Sequence, residues 1–285
     1  MIDKELEAQI QLLEDSDTQI FSIIREQLVS KGEQVIPVLE NAWGNSSYPL
    51  VNQRIENIIH EINFNQILKD LEHWVQEGKQ DWFTILYLLS KFYYQNIDKI
   101  QLHQEIQKIR NDIWLEINDN LTALEKIQVF NRIFYKKYQF SQNTSHRNSK
   151  NSFFLSELID TKKGNDLSLG LLYLLLSESL EFPIYGIDLP NNFILAYLNT
   201  EHTEDFNSNS VLFYINPINE GIVFGVKEID IYIEKNKLDS TESYYTPTSN
   251  STILLRYINE LSKILEQESD SNKVAELEKI RQIVI

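Results

Sequence analysis

No cysteine occurs anywhere in the 285 residues, which excludes disulfides, thiolate metal sites and thiol nucleophiles. Glycine is scarce as well. Its eight copies are scattered and form no glycine-rich loop that could cradle a phosphate. Positive charge is in short supply, with 26 Lys and Arg against 42 Asp and Glu, a formal net charge of −16. That balance argues against nucleic acid and anionic membrane as partners, because both require a positive surface. It suits solubility instead. Long apolar runs are missing too: LGLLYLLL at 169–176 is far too short to cross a bilayer. The opening Met1-Ile2-Asp3-Lys4-Glu5 is charged and carries no apolar secretory stretch, so a cytoplasmic location is expected.

What is present is the composition of a folded chain, 42% hydrophobic and 24% charged. The first hundred residues read as short amphipathic helices with clear punctuation. Asp17 caps a helix carrying Ile20, Phe21, Ile24 and Leu28, and Gly32 stops it. The next holds Val35, Ile36, Leu39 and Trp43, with Pro37 in its first turn. Residues 54–62 and 67–74 follow as separate helices, with Gly78 as a stop. After Asp81, the residues Trp82, Phe83, Ile85, Leu86, Leu88, Leu89, Phe92 and Tyr93 leave no polar face, so that helix is expected to be buried. Short helical pairs of this kind suit a HEAT-like array, though an ordinary bundle fits them too.

Helices are expected at 98–117 and 121–138, a polar loop at 141–152, and further helices at 153–161 and 167–180, with Gly164 between them. Beyond Pro183 the texture turns to short strands at 184–189, 193–199, 211–216 and 221–224. A helix at 227–234 and a helical hairpin at 252–267 and 272–284 complete the chain. Helices followed by a small antiparallel sheet make the fold class α+β.

Three segments carry a family likeness: NSFFLSELIDTKKGNDLSLGLLYLLLSESLEFPIYGIDLPNNFIL, then FYINPINEG, then ILLRYINEL. Their order and spacing resemble the bacterial transglutaminase-like core family, in the branch of SirB-like proteins. Members read an Asn-Ser-Phe-Leu segment, a basic stretch ending in Gly and a helix opening with Pro and Ser. A Pro-Gly-His-Phe strand, an Asp-Pro-Phe turn and an Arg-containing helix follow. The helical patterning gives a helical domain at 1–118, and the resemblance implies a papain-like α+β domain at 119–285 with the helical hairpin at its end.

In the wider superfamily a Cys opens a buried helix, a His lies on a neighbouring strand and an Asp follows. A helix N-terminus favours the thiolate, and the carboxylate orients the imidazole. Carried onto this chain, those three positions fall at Asp166, Asn192 and Asn216. An amide has no accessible pKa near neutrality, so the resemblance implies an inactive member whose scaffold is kept, with Asn192 and Asn216 bonded across the sheet. Asp166 reads as the cap of the helix that follows it. The implied function is non-catalytic binding of a peptide or protein in the former substrate groove or on the helical domain, with no cofactor and no metal. The alternative is a hydrolase with a rearranged serine site, in which Ser168 is activated by His202 or His146. Glu56 and His60 stand four apart on one helix, but an edge pair explains them better than a metal site.

Overall fold

Asp17 caps the helix that begins at Thr18, where the sequence places it. The computed structural model describes residues 4–78, 81–144, 149–199 and 210–284. It divides into two compact units, Met1–Glu72 and His73–Ile285. The first holds α1 (Lys4–Gln11), α2 (Thr18–Lys31), α3 (Ile36–Asn45) and most of α4 (Pro49–Gln76). Asp17 accepts a hydrogen bond from Gln19 N at 2.7 Å, and Gly32 closes α2 with a φ of 72°. Leu13, Leu28, Leu39, Ile55 and Ile58 form the core of this unit. The buried Arg54 guanidinium donates to the carbonyls of Leu13 (2.8 Å) and Asp15 (2.6 Å), and lies over the Phe21 ring.

The two helices expected at 54–62 and 67–74 are one. Asn63 and Asn65 are neither Gly nor Pro, so nothing removes a backbone bond there. Phe64 between them is buried and carries the apolar stripe through.

In the second unit α5 (Trp82–Tyr93) and α6 (Lys99–Trp114) start on the side chains of Asp81 and Asp98. Both pack on α8 (Leu155–Thr161) and α9 (Asp166–Ser179). The border expected at 118/119 therefore falls inside this unit. A helix with no polar face, as α5 is, must be covered, and the C-terminal core covers it. Limited proteolysis is expected to yield no folded 1–115 fragment, because that cut strips α5 and α6 from α9. A stable, protease-resistant 1–115 band would contradict this packing.

Helix α7 (Ala123–Asn131) begins with a Thr122–Glu125 capping box and runs into a π-helical turn, Arg132–Lys137. Where a loop was expected, β1 (Ser141–Gln142) pairs in parallel with β2 (Lys163–Gly164). Gly164 is thus in a strand, and α8 is closed instead by Lys162, with a φ of 60°. The main sheet is antiparallel, in the order β3 (Ile184–Leu189), β4 (Asn192–Leu198), β5 (Val211–Asn216), β6 (Ile222–Phe224). Helix α9 packs on one face of β3 and β4. On the other face Ile194, Ala196, Leu198 and Tyr214 meet Ile229 and Ile233 of α10 (Val226–Lys235). Helices α11 (Asn250–Gln267) and α12 (Ser271–Val284) form the hairpin.

Phe193 fixes the distance between α9 and the sheet. A Cβ at Gly170 of α9 would stand 2.5 Å from its ring, and one at Gly186 of β3 would stand 2.8 Å from it. Alanine in mid-helix normally gains up to about 1 kcal/mol over glycine. Here the forced shift of a fully buried ring reverses the sign, and Gly170→Ala is expected to cost about 1–3 kcal/mol. Urea unfolding of the variant measures it; a stabilised variant would refute the packing.

Candidate functional site

The start of α9 is capped by Asn165, not by Asp166. Asn165 Oδ1 accepts from Ser168 N (2.8 Å), and Ser168 Oγ accepts from Asn165 N (3.0 Å). Both residue types cap well; Asn165 takes the role because its backbone is extended, while Asp166 is already the first helical residue. Ser168 is buried, and its hydroxyl is held in this box. His146 and His202, the bases of the serine alternative, lie outside the described residues.

Freed from capping, Asp166 reaches across to the sheet. Its Oδ2 accepts from Phe193 N at 2.8 Å and faces Arg256 Nη2 at 3.5 Å. Arg256, on α11, is the hub of this end of the domain. It donates to Asp188 Oδ1 (2.7 Å), to the Leu189 carbonyl (2.9 Å) and to Glu260 Oε1 (2.8 Å), with its guanidinium carbon 5.9 Å from the centre of the Phe193 ring. Its side chain is only 11% exposed. Burial works against the Arg256 charge, but Glu260, Asp188 and Asp166 more than offset it and the pKa ends above its ordinary value. Burial raises Glu260, and Arg256 pulls it back only in part. The Asp166 carboxylate in the first turn of α9 is therefore met from two sides, by the Phe193 N–H of the sheet and by a fixed cation, at the positive end of the helix.

The β3–β4 hairpin turns through Pro190 and Asn191, with Leu189 opposite Asn192. Asn191 has a φ of 58°, a conformation suited to Gly or Asn. It occupies the place of the Gly in the Pro-Gly-His-Phe pattern. Asn192 and Asn216 alternate onto the same sheet face, but the expected bond between them is absent among the described residues. The register explains this. Leu195 faces Ile215, so Asn216 lies opposite residue 194 and Asn192 is a diagonal neighbour, about 7–8 Å away by Cα. Asn216 Oδ1 instead accepts from Ile218 N at 3.2 Å, shaping its own turn.

That turn is pinned from beneath by residues to which the sequence reading gave no role. Tyr135, in the π-helical turn, donates to the Pro217 carbonyl at 2.8 Å, and Asn131 Nδ2 donates to the Gly221 carbonyl at 2.7 Å. Gly221 has a φ of 68°, and a Cβ there would lie 2.2 Å from Asn131 Oδ1. Burial pushes the Tyr135 hydroxyl far above its usual pKa, so it stays a donor.

Two cavities open around these positions. A cleft of about 400 Å³ borders Asp166 and Asn192, with Phe153, Asn191, Lys263 and Gln267 among its walls. A smaller pocket of about 250 Å³ contains Asn192 and Asn216. Asp166, Asn192 and Asn216 thus form a continuous row, with Asn192 shared by both cavities. Asn192 has no side-chain hydrogen bond among the described residues. Arg256, which faces Asp166, had a signal in the sequence: it is the Arg of ILLRYINEL, followed four residues later by Glu260.

The Glu56 and His60 pair of α4 is otherwise employed. Glu56 Oε1 accepts from Trp43 Nε1 at 2.8 Å, and His60 stacks on Phe64. Among the described residues no cluster of three or more His, Cys, Asp or Glu could hold a metal ion, and no helix is long and apolar enough to cross a membrane.

Comparison with known proteins points to one family. Similarity reaches 29% identity over 121 residues with a UPF0162 protein of Vibrio cholerae, covering 42% of each chain. A UPF0162 protein of Buchnera aphidicola (subsp. Baizongia pistaciae) is 23% identical over 165 residues, 58% of this chain and 55% of that one. One of Pasteurella multocida is 24% identical over 98 residues, 34% of this chain and 37% of that one. The chain thus spans about half the length of these relatives or less. No solved structure gives a significant match. The family described as the transglutaminase-like superfamily matches residues 100–259, more than half of the sequence and the whole of the row from Asp166 to Arg256, so the chain belongs to the transglutaminase-like superfamily.

Proposed function

We propose that this protein binds an extended peptide in the cleft beside α9 and performs no chemistry on it. The observation that carries this reading is an open cleft beside the fixed carboxylate of Asp166. Asp166 stands where the superfamily's thiol would, held by Phe193 N and Arg256. The cleft next to it, about 400 Å³, is walled by the carboxamides of Asn191, Asn192 and Gln267. Each carboxamide offers both donors and an acceptor, as the peptide backbone does, so a row of them suits a main chain better than a single charged group. Phe153, Ile218 and Ile264 supply apolar walls between them. The serine alternative is not favoured, because the Ser168 hydroxyl is buried and accepts from Asn165 N. The test is an array of immobilised short peptides probed with the purified chain and with a Lys263→Trp/Gln267→Trp variant. These positions are exposed, one helical turn apart on α11, and line the cleft. Binding that the variant loses supports the reading; binding that the variant retains would move the site elsewhere.

A further inference from the structure

The pocket behind Asn192 is too small for a separate ligand and well shaped for one side chain. It measures about 250 Å³, below the range of roughly 300–1,000 Å³ typical of small-molecule and cofactor sites. Leu189, Phe224 and Ile229 give it carbon walls. The polar groups that border it are mostly engaged: Tyr232 donates to the Pro190 carbonyl at 2.9 Å, and Glu228 Oε2 accepts from Gly225 N at 3.0 Å. Asn192 is different. Its carboxamide has no hydrogen-bond partner among the described residues, and it lines both this pocket and the cleft.

A polar group with open donor and acceptor positions between a polar cleft and an apolar pocket has the layout of a peptide subsite. The carboxamide holds the main chain of one residue while that residue's side chain drops into the pocket. We infer that the pocket lined by Leu189, Phe224 and Ile229 is a specificity subsite for one large apolar side chain, leucine or phenylalanine, of a peptide held in the adjoining cleft. This inference rests on the peptide-binding reading. An acidic side chain would meet the Glu228 carboxylate, and a basic one would have to leave water for walls that are mainly carbon. Glycine and alanine would leave most of the pocket unfilled.

The experiment is panning of a phage-displayed random linear peptide library on the full chain, followed by titration of synthetic copies of the enriched peptides. The enriched sequences are expected to share one leucine or phenylalanine at a fixed position. Replacing it by alanine should weaken binding about tenfold or more, the scale of burying one such side chain. Ile222→Asp places a charge at the pocket mouth, at a position more than half exposed, where folding is spared. It should weaken the parent peptide by a similar factor and leave the alanine peptide unchanged. If peptides bind and are lost in the Lys263→Trp/Gln267→Trp variant, but tolerate both the alanine swap and Ile222→Asp, the subsite is wrong and the cleft reading stands. If no peptide is enriched, both readings fall.

Discussion

Arg256→Met is expected to destabilise the second unit by about 3 kcal/mol in chemical unfolding at neutral pH. Breaking a buried ion pair by removing one partner costs about 3–5 kcal/mol, because the remaining charge stays desolvated and unpaired. Here three carboxylates lose their shared cation at once. The low end of the range applies because Asp188 and Glu260 keep 38% and 33% of their side-chain exposure, so water screens part of the loss. Methionine retains most of the aliphatic stem, which separates the charge effect from a packing effect. The pH dependence gives a second readout. Burial already holds the Glu260 pKa above its ordinary value, against the pull of Arg256. Without Arg256 it rises further. A carboxyl whose folded pKa lies above its unfolded one favours folding when protonated, and that contribution is lost as pH rises through the folded pKa. The deficit of the variant should therefore be largest near neutrality and shrink as the pH falls through the raised Glu260 pKa. Glu260→Gln in the same background should recover part of it. An Arg256→Met protein as stable as the parent at neutral pH would show that the hub is a surface ornament.

The sequence makes this hub visible as residues but not as a contact. Asp166 and Arg256 lie 90 positions apart, and no periodicity joins a helix start to the middle of a helix in another segment. Strands and helices were legible because each carries its own pattern: the short apolar runs from Ile184 to Leu198 punctuated by Pro190-Asn191-Asn192, and the one-sided apolar spacing of Ile253, Leu254, Tyr257, Ile258 and Leu261. Elements whose identity depends on one hydrogen bond were not. Asn165 and Asp166 are both good caps, and only the backbone angles decide between them. The π-helical turn at Arg132–Lys137 reads as ordinary helix, since a one-residue slip in bonding leaves no mark in the pattern; yet it places the Tyr135 hydroxyl under Pro217. Likewise, alternation put Asn192 and Asn216 on one face, while their separation depended on a register the sequence does not state. The Asn63–Phe64–Asn65 stretch looked like a break only because its polar residues interrupt the stripe, and the long-range burial of Phe64 overrode that local signal.

The same geometry sets the expected chemistry at the start of α9. On the unmodified chain, activated esters and amides should show no turnover above background. Ser168 is buried in the capping box, Asn192 cannot take a proton near neutrality, and the chain holds no thiol. Turnover that disappeared in a Ser168→Ala control would overturn this. Asp166→Cys probes the seat directly, and with no other cysteine in the sequence every alkylation event reports on that one position. The positive end of the helix dipole, the Phe193 N–H and the Arg256 guanidinium all stabilise an anion there. The introduced thiol should therefore ionise well below the ordinary value of about 8.5, within the range of roughly 3.5–7.5 seen at helix N-termini and beside cations. Iodoacetamide labelling across pH reads the midpoint, and adding Arg256→Met should shift it upward. The reactive thiol should still not turn over substrate, because no base at position 192 can pass a proton to the leaving group. Adding Asn192→His supplies that base; Asn216 is an amide and gives the imidazole no orienting carboxylate, so any turnover should be weak. A midpoint at or above about 8.5 for the single Asp166→Cys variant would show that the helix start is not an anion seat, and the equivalence of Asp166 with the superfamily nucleophile would fail with it.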